Sequence, residues 1–133
     1  MNIVEYPFPG APKMEELQYR VFPESLENDP LVLFHATLPA DYDEILLSGF
    51  KTAAQLGKPN GLASVSYAKQ SSTALGHIRN RYKKQEVIII AVQFQSLAAR
   101  EGIVVNASDI HIYDGTQPTI IGFCRVPEDY LFV

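Results

Sequence analysis

The stretch Leu33-Phe34-His35-Ala36-Thr37 places an imidazole and a hydroxyl at the end of an apolar run. A neutral imidazole carries one donor and one acceptor, so His35 can hold a partner with one ring nitrogen while the protein fixes the other. It serves equally as a satisfied histidine closing a strand. A second hydroxyl set, Ser64-Val65-Ser66, alternates in a segment of strand character, so both side chains point to one face. They either bind a ligand, brace His35, or form a half-exposed strand edge. Cys124 with His35 or His111 offers a thiol and a base. However, Cys124 lies in the apolar run Ile120-Ile121-Gly122-Phe123-Cys124, where an inert buried cysteine is expected. His35, His77 and His111 are far apart, and no Cys-x-x-Cys or His-x-x-x-His spacing exists, so no metal site is expected. Neither a Walker loop nor a G-x-G-x-x-G run is present.

The elements that must position these groups can be read from pattern. Residues 31–35 form a short apolar strand. Pro39 to Gly49 reads as a two-turn helix, with Asp41 and Glu44 spaced as a capping box and Gly49 at the left-handed C-terminal position. Residues 51–61 form a loop marked by Gly57, Pro59, Asn60 and Gly61. Leu62 to Tyr67 is a second strand. Over Lys69–Lys84 the apolar set Ala74, Leu75, Ile78 and Tyr82 has helical spacing. Arg79, Arg81, Lys83 and Lys84 fit a solvated helix end, where positive charge suits the dipole; a phosphate contact is the alternative. Glu86 to Phe94 is continuously apolar at its centre and fits a strand covered on both faces. Gln95 to Glu101 reads as a short helix or turn, and strands follow at 103–105, 109–113 and 119–126. Two helices early and strands late give an α+β class.

The chain has 133 residues, 47% hydrophobic and 20% charged, which describes one ordinary globular domain. Its formal charge of −4 speaks against a general nucleic-acid binder. Residues 1–30 carry five of the nine prolines and are expected as an arm wrapped on a domain spanning 31–133, with at most a short helix at 13–20. No basic segment followed by an apolar stretch opens the chain, and the longest apolar run, Val87–Val92, has six residues. These features lead us to expect a protein that does not cross a membrane, and the single cysteine fits a reducing, cytoplasmic compartment or, alternatively, a protein delivered outside its cell that does without disulfides.

A strand ending in His35-Ala36-Thr37, a helix carrying "ILLSGF", a glycine-containing loop, a Ser64-x-Ser66 strand leading into a helix, and a closing run of strands together resemble the ADP-ribosyltransferase fold. That superfamily includes the poly(ADP-ribose) polymerases, the ADP-ribosylating toxins and the RNA 2′-phosphotransferases. The resemblance covers residues 31–133 and implies split antiparallel β-sheets with two main helices. It implies NAD as substrate and ADP-ribose transfer, or NAD hydrolysis, as the reaction. His35 then binds a ribose hydroxyl, and the backbone of Ala36, next to Thr37, holds the nicotinamide amide; the family has glycine at this position. Ser64 and Ser66 match the toxin form of the second motif, and Tyr67 supplies a ring for nicotinamide. The family's late glutamate is replaced. Asp109 takes its place in one alignment; Gln117 is the polar substitute near it in another. The acceptor, protein or nucleic acid, is not specified. The alternatives are a non-catalytic member of the fold that binds a nucleotide, ADP-ribose or a protein, or a phosphotransferase-like enzyme, although that family's basic residues are absent.

Overall fold

The computed structural model describes residues 3–52, 54–57 and 63–130. Part of the glycine-containing loop, Leu62 of the second strand and the last three residues therefore lie outside the described residues. Among the described residues the architecture is α+β: one mixed sheet with four helices, two of which are single four-residue turns.

In chain order the elements are β1 (Val4–Tyr6), α1 (Ala11–Met14), α2 (Glu24–Glu27), β2 (Val32–Thr37), α3 (Pro39–Ser48) and β3 (Val65–Ala68). They continue with α4 (Ser71–Arg81), β4 (Val87–Gln93), β5 (Ile103–Val105), β6 (Asp109–Ile112) and β7 (Thr119–Val126). The seven strands lie in the order β1-β7-β4-β2-β3-β6-β5. Only β1 against β7 is parallel; the other neighbours are antiparallel.

β4 explains why the sheet has two cores. Val87, Ile89 and Ala91 enter one buried cluster, with α4 and the N-terminal residues Met14, Val21 and Phe22. Ile88, Ile90 and Val92 enter another on the opposite face, with Tyr42 of α3, Phe50, Tyr67 and Phe94. With a side-chain period of two, a strand apolar at every position requires cover on both sides.

Several expectations need correcting. α3 starts at Pro39, whose fixed φ suits the first helical turn, with Leu38 as N-cap; Asp41 and Glu44 do not cap it. Gly49 does close it, at φ 79°, its N–H donating to the Ile45 carbonyl at 2.8 Å. α4 stops at Arg81, short of Lys84, with Tyr82 as its C-cap, and the Arg79 guanidinium turns inward. It donates to the carbonyls of Tyr82, Gln85 and Pro127 at 3.1, 2.7 and 2.8 Å. Arg79 is thus buried and structural, not a solvated helix-end charge. Of the short helix or turn expected over residues 95–101, a turn forms at its end, at Glu101–Gly102, and the expected helix at 13–20 shortens to Ala11–Met14. The N-terminal segment instead contributes β1, which sequence pattern did not suggest. Gly122 on β7 makes room for it: a Cβ there would stand 2.6 Å from the Tyr6 ring.

The N-terminal segment is fastened to α4 by a buried carboxylate. Glu27 accepts from the backbone N–H groups of Phe22 and Ser71, each at 3.2 Å, and from the Ser71 hydroxyl. The Ser71 oxygen in turn accepts from the Val21 N–H at 3.0 Å. Ser71→Ala strips two of these bonds inside a site closed to water. We expect it to cost about 1–3 kcal/mol, read as a lower urea midpoint with an unchanged m-value.

Candidate functional site

β2 and β3 are neighbours that barely touch. Their ladder has a single pair, Phe34 with Ala68, whereas β2 pairs with β4 along its whole length. Beyond Phe34 the two strands diverge, and a cleft of about 730 Å³ opens between them. That volume lies in the range of small-molecule sites. The tip of β2 and the start of β3 form its base. α3 supplies Asp41, Glu44 and Ser48 from one side, and α4 supplies Thr73, His77 and Arg81 from another. The last three are spaced by four residues and form one stripe along α4.

One side chain bridges the divergence. His35 Nδ1 lies 3.0 Å from the Ser66 carbonyl oxygen. A carbonyl only accepts, so Nδ1 carries the proton and Nε2 holds the lone pair of the neutral ring. The ring is half-buried, set edge-on to Phe50 with centroids 5.2 Å apart and tilted against Tyr67 at 5.6 Å. Burial lowers its pKa below the usual 6.5, and the smaller opposing effect is the bond to Ser66. His35 is therefore a neutral acceptor at pH 7.

His35, Ala36, Thr37, Ser64, Ser66 and Asp109 all line this one cleft. Tyr67 does not. It is 1% exposed and packs on the other face of β3, against Phe50 and Phe94 at 5.4 and 5.2 Å. Strand alternation sends it away from Ser66, so the expected aromatic platform is a core residue. Gln117 is also elsewhere: its amide clamps Phe50, accepting from the backbone N–H at 2.8 Å and donating to the carbonyl at 2.9 Å. It borders a smaller hollow of about 260 Å³. Cys124 is fully buried and its thiol is pushed up to about 12 by desolvation, with Glu5 adding to the effect, which removes it as a nucleophile.

Asp109 is held from two sides. Its Oδ1 accepts from Asn106 Nδ2 at 3.0 Å, and its Oδ2 lies 3.3 Å from His111 Nε2. His111 Nδ1 in turn lies 3.2 Å from Ser64 Oγ. Sequence reasoning weighed His111 only as a base for Cys124 or as a metal ligand and did not pair it with Asp109, although its spacing of two from Asp109 puts both on one face of β6. The α4 stripe was likewise masked by its charged neighbours. Among the described residues no cluster of His, Cys, Asp and Glu has the makings of a metal site, and no helix is long and apolar enough to cross a membrane.

No protein-family model, curated protein or solved structure matches this chain.

The lowered His35 pKa fixes a sign. Between pH 6.5 and the folded-state value, the unfolded chain binds the proton that the folded chain refuses. Stability from this group is complete above pH 6.5 and is lost as pH falls through that window, by at most ~1.4 kcal/mol per pH unit. Urea midpoints for wild type should drop between pH 7.5 and 5.5 by more than those of His35→Gln; parallel curves would show that burial does not hold the ring neutral.

Proposed function

We propose that this cleft binds NAD and catalyses loss of its nicotinamide, passing ADP-ribose to an acceptor or to water. The observation that carries the reading is the convergence of His35, Ala36, Thr37, Ser64, Ser66 and Asp109, drawn from β2, β3, β6 and the residue just before β3, on the divergence between β2 and β3. A sheet nearly parted into two halves, with two substantial helices beside the parting, agrees with the ADP-ribosyltransferase resemblance.

The chemistry suits these groups. Cleaving the bond between ribose C1 and the nicotinamide nitrogen passes through an oxocarbenium-like state, since nicotinamide departs neutral. The protein must hold the ribose in place and stabilise positive charge developing on it. His35 Nε2 accepts from a ribose hydroxyl, its ring locked by the Ser66 carbonyl. The backbone at Ala36 meets the nicotinamide amide. Asp109 supplies the negative charge that a glutamate supplies in the polymerases. It is one methylene shorter, but β6 lies directly against β3 and brings its first residue to the cleft.

A second reading, a non-catalytic module that binds ADP-ribose or another nucleotide in the same cleft, is favoured by one feature. Both Asp109 oxygens already have neighbours, Asn106 and His111.

Incubation with nicotinamide-labelled NAD separates the two. Turnover predicts released nicotinamide, reduced about 10²–10³-fold by Asp109→Asn. His35→Ala should weaken NAD binding by about 1–3 kcal/mol, roughly 5- to 150-fold. Release at background level in wild type and both variants removes the enzymatic reading; calorimetric saturation by ADP-ribose without release selects the module.

A further inference from the structure

Two residues of the cleft, Ser64 and Asp109, are joined by a third residue behind them. Across the β3–β6 ladder Ser66 is paired with His111 and Ala68 with Asp109. With a side-chain period of two, Ser64, Ser66, Asp109 and His111 project from the same face of the sheet. Ser64 Oγ and His111 Nδ1 are hydrogen-bonded at 3.2 Å, His111 Nε2 and Asp109 Oδ2 are 3.3 Å apart, and Asn106 anchors the far oxygen of Asp109. The carboxylate beside Nε2 favours the proton on that nitrogen. Nδ1 then presents its lone pair to the Ser64 hydroxyl. Ser64 is 5% exposed, and it lines the cleft of about 730 Å³.

We propose that Ser64, His111 and Asp109 form a nucleophile–base–carboxylate relay that makes Ser64 reactive toward carboxylic esters. This activity does not rest on the NAD reading and needs no cofactor. Ser64 Oγ attacks the ester carbonyl carbon while its proton passes to His111 Nδ1. The tetrahedral intermediate collapses with cleavage of the carbon–oxygen bond to the alcohol, which leaves with the proton from His111. Water, deprotonated by the same imidazole, then attacks the acyl-serine and releases the carboxylic acid and the free hydroxyl. Asp109 keeps its charge throughout and steadies the imidazolium. The serine–imidazole distance is that of an activated nucleophile and its base, and such contacts are commonly long or loosely aligned before substrate arrives. A bond made only to satisfy Ser64 needs no third group. The anchored carboxylate at the far nitrogen is what orients a base.

The test is covalent labelling of the full chain with a fluorophosphonate probe in the absence of NAD, followed by mass spectrometry of the peptide carrying Ser64. Wild type should carry the label on Ser64, and Ser64→Ala should carry none. His111→Gln should slow labelling by about 10²-fold or more, with native folding checked by circular dichroism. Should that variant not fold, Asp109→Asn serves in its place, because it keeps the side chain's shape and an acceptor for Asn106. An unlabelled Ser64 in folded wild type, or labelling of the folded variant at the wild-type rate, overturns the relay. Neither result depends on whether the protein cleaves NAD.

Discussion

The structure depends on how little β2 holds β3. One ladder pair, Phe34 with Ala68, joins the half-sheet β1-β7-β4-β2 to the half-sheet β3-β6-β5. Full pairing of the two strands would have zipped the cleft shut, since residues 35–37 would then face residues 65–67 across a hydrogen-bonded ladder. The divergence frees the strand ends to border a cavity, and the backbone left without a ladder partner must be satisfied in another way. The His35 ring does part of that, capping the Ser66 carbonyl from across the gap. One side chain thus spans the opening and lines the cleft beside it.

Holding such an opening needs rigid walls. β4 provides the rigidity, buried on both faces and paired on both edges, with α4 on one side and α3 on the other. The N-terminal segment is a third support. Met14, Val21 and Phe22 enter the core under α4, and Glu27 ties that segment to the first turn of α4. A buried carboxylate is costly unless its oxygens are hydrogen-bonded. Glu27 meets that condition with donors from both partners, so neither the segment nor the helix can shift without leaving it exposed to an apolar surrounding.

The cleft is also electrically uneven. Asp41 and Glu44 stand on the α3 side, His77 and Arg81 on the α4 side, and Asp109 at the end of β6. Asp41, Glu44, His77 and Arg81 are solvent-exposed, so water and salt screen them and they bias the approach of a charged ligand more than they hold it. The net charge of −4 gives only the overall excess of acidic residues, so composition carried no trace of this arrangement. Only their distribution over two helices and a strand does.

Much of the scaffold was legible in the chain. The continuous apolar run at Val87–Val92 announces a central strand because it is short, rich in β-branched residues and too apolar for a strand with one wet face. Ala74, Leu75 and Ile78 announce α4 through helical spacing. His35, Ser64 and Ser66 stand out because polar groups at the ends of apolar strands need a reason to be there. Tertiary structure decided what local pattern cannot. Tyr67 and Ser66 are adjacent in sequence yet lie on opposite faces, and only the direction of the core says which of them meets the cleft. Gln117 is separated from Phe50 by 67 positions and became its clamp when the chain returned. Arg79 resembled its solvated neighbours, but its guanidinium turns in to two carbonyls just beyond its own helix, Tyr82 and Gln85, and to one far along the chain, Pro127. β1 emerged from a proline-rich segment because Gly122, far along the chain, lacked a side chain. Local sequence determines periodicity and conformational preference; which groups become partners across long separations is fixed only when the sheet assembles, because burial and hydrogen-bond satisfaction are properties of the assembled whole.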